Sequence, residues 1–243
     1  SWDFYRDFAD IIAEAHKNGA VIWSVVYDLI PILYPELVIN KLFKENFIHW
    51  QELVLQQCDG ILCISRTTAD YVIQYYNDRK LKRNKPLQIN YFNMGFNIPS
   101  NKDGARDTIK KFVQRIPTFL MVGTVEPRKG HEVALAAFKK IFQTQVKAQL
   151  LIIGQDGWKN DEFLNALHND EDMSAKIMWI SDANDEELRW AYKNTCALIA
   201  ASKDEGFGLP LIEAAHFGLP IICSDIPIFR EVAGENATYF KVL

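Results

Sequence analysis

Short, almost continuously apolar runs recur along this chain, separated mostly by segments with helical periodicity. In the first half they are 20–27 (AVIWSVVY), 60–65 (GILCIS) and 88–92 (QINYF). In the second they are 119–125 (FLMVGTV), 148–153 (AQLLII), 177–181 (IMWIS), 196–201 (CALIAA) and 220–224 (PIICS). A strand with one wet face alternates apolar and polar residues, whereas a strand covered by helices on both faces does not. Helical character follows at 131–144, 185–194 and 210–217. Asp185 suits an N-cap with acidic residues in the first turn, Pro210 suits a first turn, and Gly218-Leu219-Pro220 ends that helix. Strand, helix, strand in regular order implies an α/β fold with parallel sheets and right-handed crossovers.

The composition changes at 77–86 (NDRKLKRNKP) and at 97–118, where Asn97 to Gly104 lacks any core-forming pattern. A boundary at 95–117 follows. The expected organisation is a first Rossmann-like lobe over 1–100, a linker over 101–117 and a second lobe over 118–243. The first lobe has only three strand-like runs. The sequence ends at Phe240-Lys241-Val242-Leu243, after an apparent strand and before any covering helix. An incomplete first lobe and absent terminal helices are therefore expected.

With 243 residues, 49% hydrophobic and 24% charged, the chain can bury a large core. A formal net charge of −4 argues against generic nucleic-acid binding, which needs surplus Lys and Arg. Cys58, Cys63, Cys196 and Cys223 contain no CxxC pair and adjoin apolar stretches, so buried thiols are expected rather than disulfides. No basic region followed by an apolar run opens the sequence, and no stretch of about 18 apolar residues could span a bilayer. Trp2, Phe4, Tyr5 and Phe8 suit either a core face or a peripheral membrane anchor.

Chemistry concentrates at the C-terminal ends of the second-lobe strands, where open parallel sheets bind ligands. The run 119–125, which contains Gly123, leads into Glu126-Pro127-Arg128-Lys129-Gly130 and a helix. A rigid guanidinium fork beside an ammonium and a helix N-terminus suits a pyrophosphate, although an isolated Arg-Lys pair is more often a solvated turn. After 196–201 comes Lys203-Asp204-Glu205-Gly206-Phe207-Gly208-Leu209-Pro210, leading to Glu213. The glycines let backbone approach a ligand, and carboxylates at 205 and 213 can accept from sugar hydroxyls. Taken singly, Glu205 reads as a turn residue and Glu213 as a salt-bridge partner. Convergence of both turns on one sheet edge favours a binding site. No GxGxxG follows a strand, and Gly154-Gln155-Asp156-Gly157 reads as a strand-ending turn.

Residues 205–213 (EGFGLPLIE), 122–130 (VGTVEPRKG), 151–158 (LLIIGQDGW) and 185–195 (DEELRWAYKNT) together resemble the retaining GT-B glycosyltransferases of family 4, also called glycosyl transferases group 1. The resemblance covers essentially residues 20–240. It implies two Rossmann-like lobes facing a cleft, a nucleoside diphosphate sugar as donor substrate, no separate cofactor and no metal. Arg128 and Lys129 would hold the diphosphate and stabilise its developing charge, Glu213 the ribose, and Glu205 the transferred sugar. Gly123 would lie at the phosphate segment, the amides of Phe207, Gly208 and Leu209 around sugar and phosphates, and Asp182 and Asn184 near the base. Around VVYDLIP (25–31), many relatives carry His-Asp where this chain has Tyr27-Asp28, so Asp28 is expected to orient or cap. Ser65 or Thr67 is expected to cap the helix that follows it.

The leading expectation is hexose transfer, leaning to GDP-mannose, onto a glycan or lipid-linked acceptor with retention. The setting would be cytoplasmic, at the inner membrane face if associated, and bacterial polysaccharide or lipopolysaccharide mannosyltransferases are the members most resembled. Two alternatives are a nucleotide- or glycan-binding protein that lost turnover and an unrelated Rossmann-like enzyme such as an epimerase.

Overall fold

The structure, a computed structural model, describes residues 5–83, 85–97 and 104–242. The chain divides into two compact units. One runs to Met94 and includes Glu205–Phe207; the other comprises Gly95–Asp204 and continues from Gly208.

In the first unit the helices are α1 (Tyr5–Lys17), α2 (Ile30–Leu33), α3 (Lys41–Gln57) and α4 (Arg66–Arg79), and the strands are β1 (Trp23–Val26), β2 (Gly60–Cys63) and β3 (Gln88–Tyr91). The strands pair in parallel in the order β1-β2-β3, with Val26 opposite Cys63 and Cys63 opposite Tyr91. Val26, Ile61 and Cys63 pack with Phe47, Val54 and Leu55 of α3 and with Val72 of α4. Asn40 caps α3 by accepting from Phe43 N at 2.8 Å, and Ser65 caps α4 by accepting from Thr68 N at 3.0 Å. Of the aromatic residues near the start, Trp2 and Phe4 lie outside the described residues, and the Phe8 ring meets Trp50 edge-on at 5.0 Å. Among the described residues no helix is long and apolar enough to cross a membrane.

In the second unit β4 (Thr118–Val122), β5 (Gln149–Ile153), β6 (Ile177–Ile180), β7 (Ala197–Ala200), β8 (Ile221–Ser224) and β9 (Thr238–Phe240) form one parallel sheet in the order β6-β5-β4-β7-β8-β9. The helices are α5 (Asp107–Val113), α6 (His131–Phe142), α7 (Asp161–Asn169), α8 (Glu171–Lys176), α9 (Asp185–Asn194), α10 (Leu209–His216) and α11 (Pro227–Ala233). Every residue of β5 is buried: the apolar Leu150–Ile153 as a strand covered on both faces requires, and Gln149 with its amide donating to Thr118 Oγ1 at 2.7 Å. His131, Ala134, Leu135 and Phe138 are buried at the spacing of one helix face, and the last three join Leu150 and Ile152 of β5 in the core. The sheet thus winds one way from β4 to β6 and the other way from β7 to β9, with its switch point between β4 and β7.

Three local expectations are corrected. The segment 101–117, read as a linker, carries α5, which buries Ile109, Phe112 and Val113 in the second unit. Asn184, not Asp185, is the N-cap of α9: its side chain accepts from Glu187 N at 2.9 Å, and Glu187 Oε2 accepts from Asn184 N at 3.2 Å. This reciprocal capping box leaves Asp185 in the first turn. Cys196 is exposed whereas Cys58, Cys63 and Cys223 are buried, because β7 starts one residue later than the apolar run suggested. Asn184→Ala is expected to cost about 1 kcal/mol, read as a lowered melting temperature.

Candidate functional site

The turn after β4 and the turn after β7 are bound together at the switch point, where open α/β sheets offer a crevice. Lys203 N donates to the carbonyl of Arg128 at 2.8 Å. The Arg128 guanidinium closes the same link from its side chain, Nη1 donating to the Asp204 carbonyl at 3.2 Å. Its Nη2 donates to Glu126 Oε1 at 2.6 Å. Glu126 is only 4% exposed, so this ion pair is well shielded from solvent and fixes the guanidinium in one orientation. Residues Pro127–Lys129 form a single 3₁₀ turn, and Gly130 in left-handed conformation leads into α6. A β-carbon on Gly130 would stand 2.1 Å from the Ala201 carbonyl oxygen, so the two turns touch backbone to backbone.

Lys129 runs beside Gly123, at which a β-carbon would lie 3.3 Å from Lys129 Cε. The ammonium end is therefore held over the last residues of β4, next to the anchored Arg128. His131 opens α6 behind them; burial, with Lys129 nearby, pushes its pKa down to about 4, so it is neutral at physiological pH. A cavity of about 260 Å³ beside this turn is lined by Val125, Glu126, Pro127, His131, Lys159 and Phe163.

Beyond β7, Gly208 is the left-handed N-cap of α10, with Leu209 and Pro210 in the first turn and Glu213 a turn further in. Burial pushes the Glu213 carboxyl above its ordinary range, opposed by a hydrogen bond from Tyr192 and reinforced by the charge of Asp185. Glu205 and Phe207, between the two segments in sequence, group with the first unit. There the intervening Gly206 carbonyl accepts from Ser65 Oγ at 2.9 Å. In the first unit, too, Asp28 Oδ1 accepts from Ile30 N at 3.0 Å, a capping contact at the start of α2.

Asp182 and Asn184 lie at the C-terminal end of β6, and both are engaged by structure. Arg106 Nη1 donates to Asp182 Oδ1 at 3.0 Å, while its Nε and Nη2 grip Glu187 at 2.6 and 2.8 Å. The Arg106 guanidinium holds the Glu187 carboxyl below its usual range despite burial. A depressed carboxylate stabilises the fold fully above the ordinary Glu value of about 4.3, and this is lost as pH falls through the lower folded value. Arg106→Met is therefore expected to lower the urea midpoint at neutral pH, with the gap to the unmodified protein closing as pH falls towards about 3.

The structure thus brings Gly123, Arg128, Lys129, Gly208, Leu209 and Glu213 to one edge of the second sheet. The sequence reading missed Glu126, which orients Arg128, as well as Arg106, Glu187 and Tyr192. Glu126 could have been found as a carboxylate two residues before the fork, and Glu187 as the fourth residue of an Asn-x-x-Glu capping box; the Arg106–Glu187 and Tyr192–Glu213 pairs lie too far apart along the chain to be legible.

The switch point of this doubly wound parallel sheet thus carries an anchored guanidinium with a lysine beside it. The chain belongs to the glycosyl transferases group 1 family, whose profile matches residues 105–242. It is 36% identical over 230 residues to the serotype-specific mannosyltransferase WbdA of Escherichia coli, covering 92% of this chain and 28% of WbdA. It is 27% identical over 214 residues to the O-antigen chain mannosyltransferase RfbU of Salmonella typhimurium, covering 88% of this chain and 55% of RfbU. The chain thus spans between about a quarter and just over half of the curated relatives' length. The fold is shared with Anabaena Alr3699/HepE, solved with UDP and glucose, at a TM-score of 0.72 and 15% identity, covering 99% of this chain and 62% of that one.

Proposed function

We propose that the chain carries the nucleotide-sugar site of a retaining, metal-independent mannosyltransferase. Its donor would be GDP-mannose and its acceptor a glycan or lipid-linked glycan, reached at the cytoplasmic face of a membrane. The observation that carries this reading is the Arg128 guanidinium held by Glu126 and the Asp204 carbonyl at the switch point, with Lys129 beside it. Two cations held in place before the reaction are suited to a diphosphate leaving group, whose charge grows as the sugar departs. They also supply the neutralisation that a divalent ion would otherwise provide.

In the proposed reaction the bond from the anomeric carbon to the diphosphate oxygen breaks, and both electrons leave with the phosphate. The acceptor hydroxyl bonds to that carbon from the same face and passes its proton to the departing phosphate oxygen. Glu205 orients the transferred sugar and Glu213 the ribose, while the amides of Phe207, Gly208 and Leu209 line sugar and phosphates. The 182–184 loop flanks the base, with Asp182 and Asn184 held by their own partners and the loop backbone facing the nucleotide. Asp28 shapes the acceptor-side turn through its cap on Ile30.

The reading is tested by calorimetric titration with GDP and with UDP, both in EDTA. GDP is expected to bind with a micromolar Kd and UDP at least tenfold more weakly. Binding that appears only when Mg²⁺ is added removes the metal-independent mechanism, and preference for UDP removes the mannosyl donor.

A further inference from the structure

Among the described residues Tyr192 is the bulkiest side chain buried almost completely, at 1% exposure, yet it carries a polar hydroxyl into that environment. The hydroxyl donates to Glu213 Oε2 at 2.5 Å. The ring stacks on Phe217 with centroids 5.7 Å apart and planes 15° from parallel, and the Arg189 guanidinium lies 5.5 Å from the outer Phe217 ring. The phenol is thus clamped between α9 and the end of α10 with almost no freedom to turn. Glu213 Oε1, by contrast, makes no hydrogen bond among the described residues. One carboxylate oxygen is pinned and its twin is left as an acceptor.

We infer that Tyr192 is a positioning residue for nucleotide recognition: its phenol fixes the Glu213 carboxylate so that Oε1 is presented to a ribose hydroxyl. This rests on the proposed role of Glu213 as the ribose contact. A carboxylate on a helix has several rotamers, and a ligand that must select one pays for that selection on every binding event. A buried donor on one oxygen removes that cost in advance and stabilises the charged form against desolvation. At 1% exposure of the residue, bulk water has little access to the phenol. Among the described residues the charge that acts on Glu213 is that of Asp185 from α9, while Arg189 lies over the Phe217 ring and His216 follows one turn along α10. Asp185 disfavours the ionised carboxylate, which makes the Tyr192 bond the principal stabilising contact.

The test is GDP affinity, measured by calorimetry from about pH 5 to about pH 8, in the unmodified protein, Tyr192→Phe and Glu213→Gln. The phosphate's own titration is common to all three and cancels in the comparison. Tyr192→Phe keeps the ring packing and is expected to weaken GDP binding about tenfold at neutral pH, with the acid-side midpoint moved to higher pH. Glu213→Gln is expected to weaken binding and to abolish that midpoint. Site-specific 3-fluorotyrosine at 192, a stronger donor of nearly the same shape, is expected to move the midpoint to lower pH. A purely structural tyrosine would lower the melting temperature of Tyr192→Phe and leave the midpoint where it was; that result, or an unmoved midpoint with fluorotyrosine, overturns the inference. If Glu213→Gln binds GDP normally, the ribose role itself is wrong, a failure distinct from that of Tyr192.

Discussion

Arg128→Ala with Lys129→Ala is expected to weaken GDP binding at least about 100-fold while leaving the second unit folded. Each charge-assisted hydrogen bond is worth about 1.5–3 kcal/mol, and two lost together exceed the roughly 2.7 kcal/mol that separates affinities 100-fold apart. Arg128→Ala alone carries a further consequence. It strips Glu126 of the guanidinium while that carboxylate stays buried, which is expected to cost stability as well as affinity. Arg128→Lys restores charge but not the fork that reaches both Glu126 and the Asp204 carbonyl, and it is expected to recover only part of the loss. Calorimetry gives the affinity and circular dichroism the fold. A double variant that is folded and still binds GDP at the original affinity would show that the phosphates are held elsewhere.

Gly130→Ala is expected to be one of the most damaging single-carbon changes in the second unit. Its φ of 66° is in the left-handed region, and the added carbon would lie 2.1 Å from a backbone oxygen of the neighbouring turn. Left-handed backbone alone costs a non-glycine residue about 1–2 kcal/mol. The clash adds to it, because the Ala201 carbonyl follows directly from β7 and cannot swing aside. Gly218 is the internal control: φ is 67° and an added β-carbon would meet nothing within 4 Å, so Gly218→Ala carries the conformational cost alone. Thermal melts should show a loss of about 3–6 °C for Gly218→Ala and at least twice that for Gly130→Ala. Equal losses would mean that the two turns separate freely.

Much of this was legible in the chain because a parallel sheet writes itself as unbroken apolar runs. Every expected run contains a strand, shortened at one or both ends, and β4 also starts one residue before its run. The turns of the candidate site stood out for a related reason: Arg-Lys before a glycine, and glycines around a Phe, are poor core or helix material. The failures have common physics. Helix α5 was hidden because Ile109, Phe112 and Val113 sit among Asp107, Thr108, Lys110 and Lys111, which swamp a one-face pattern in so short a helix. Asn184 and Asp185 are both good caps, and only the backbone decides which one bonds to Glu187. Strand order is absent from any local pattern, so the adjacency of residues 128 and 204 emerges only from the fold. Tyr192 was not singled out, because its partner Glu213 lies 21 residues further on, in the next helix.

The uneven fate of the cysteines makes the second unit addressable. Burial lifts the Cys58, Cys63 and Cys223 thiols to about 11, 12 and 11, so they form little thiolate and are sterically shut off. Cys196 is exposed, just before β7 begins, at the end of the sheet remote from the Arg128 turn. A maleimide dye should therefore attach at one place among the described residues and spare the proposed binding edge. It would act as a fluorescent reporter joined through the length of β7 to the turn that holds Arg128.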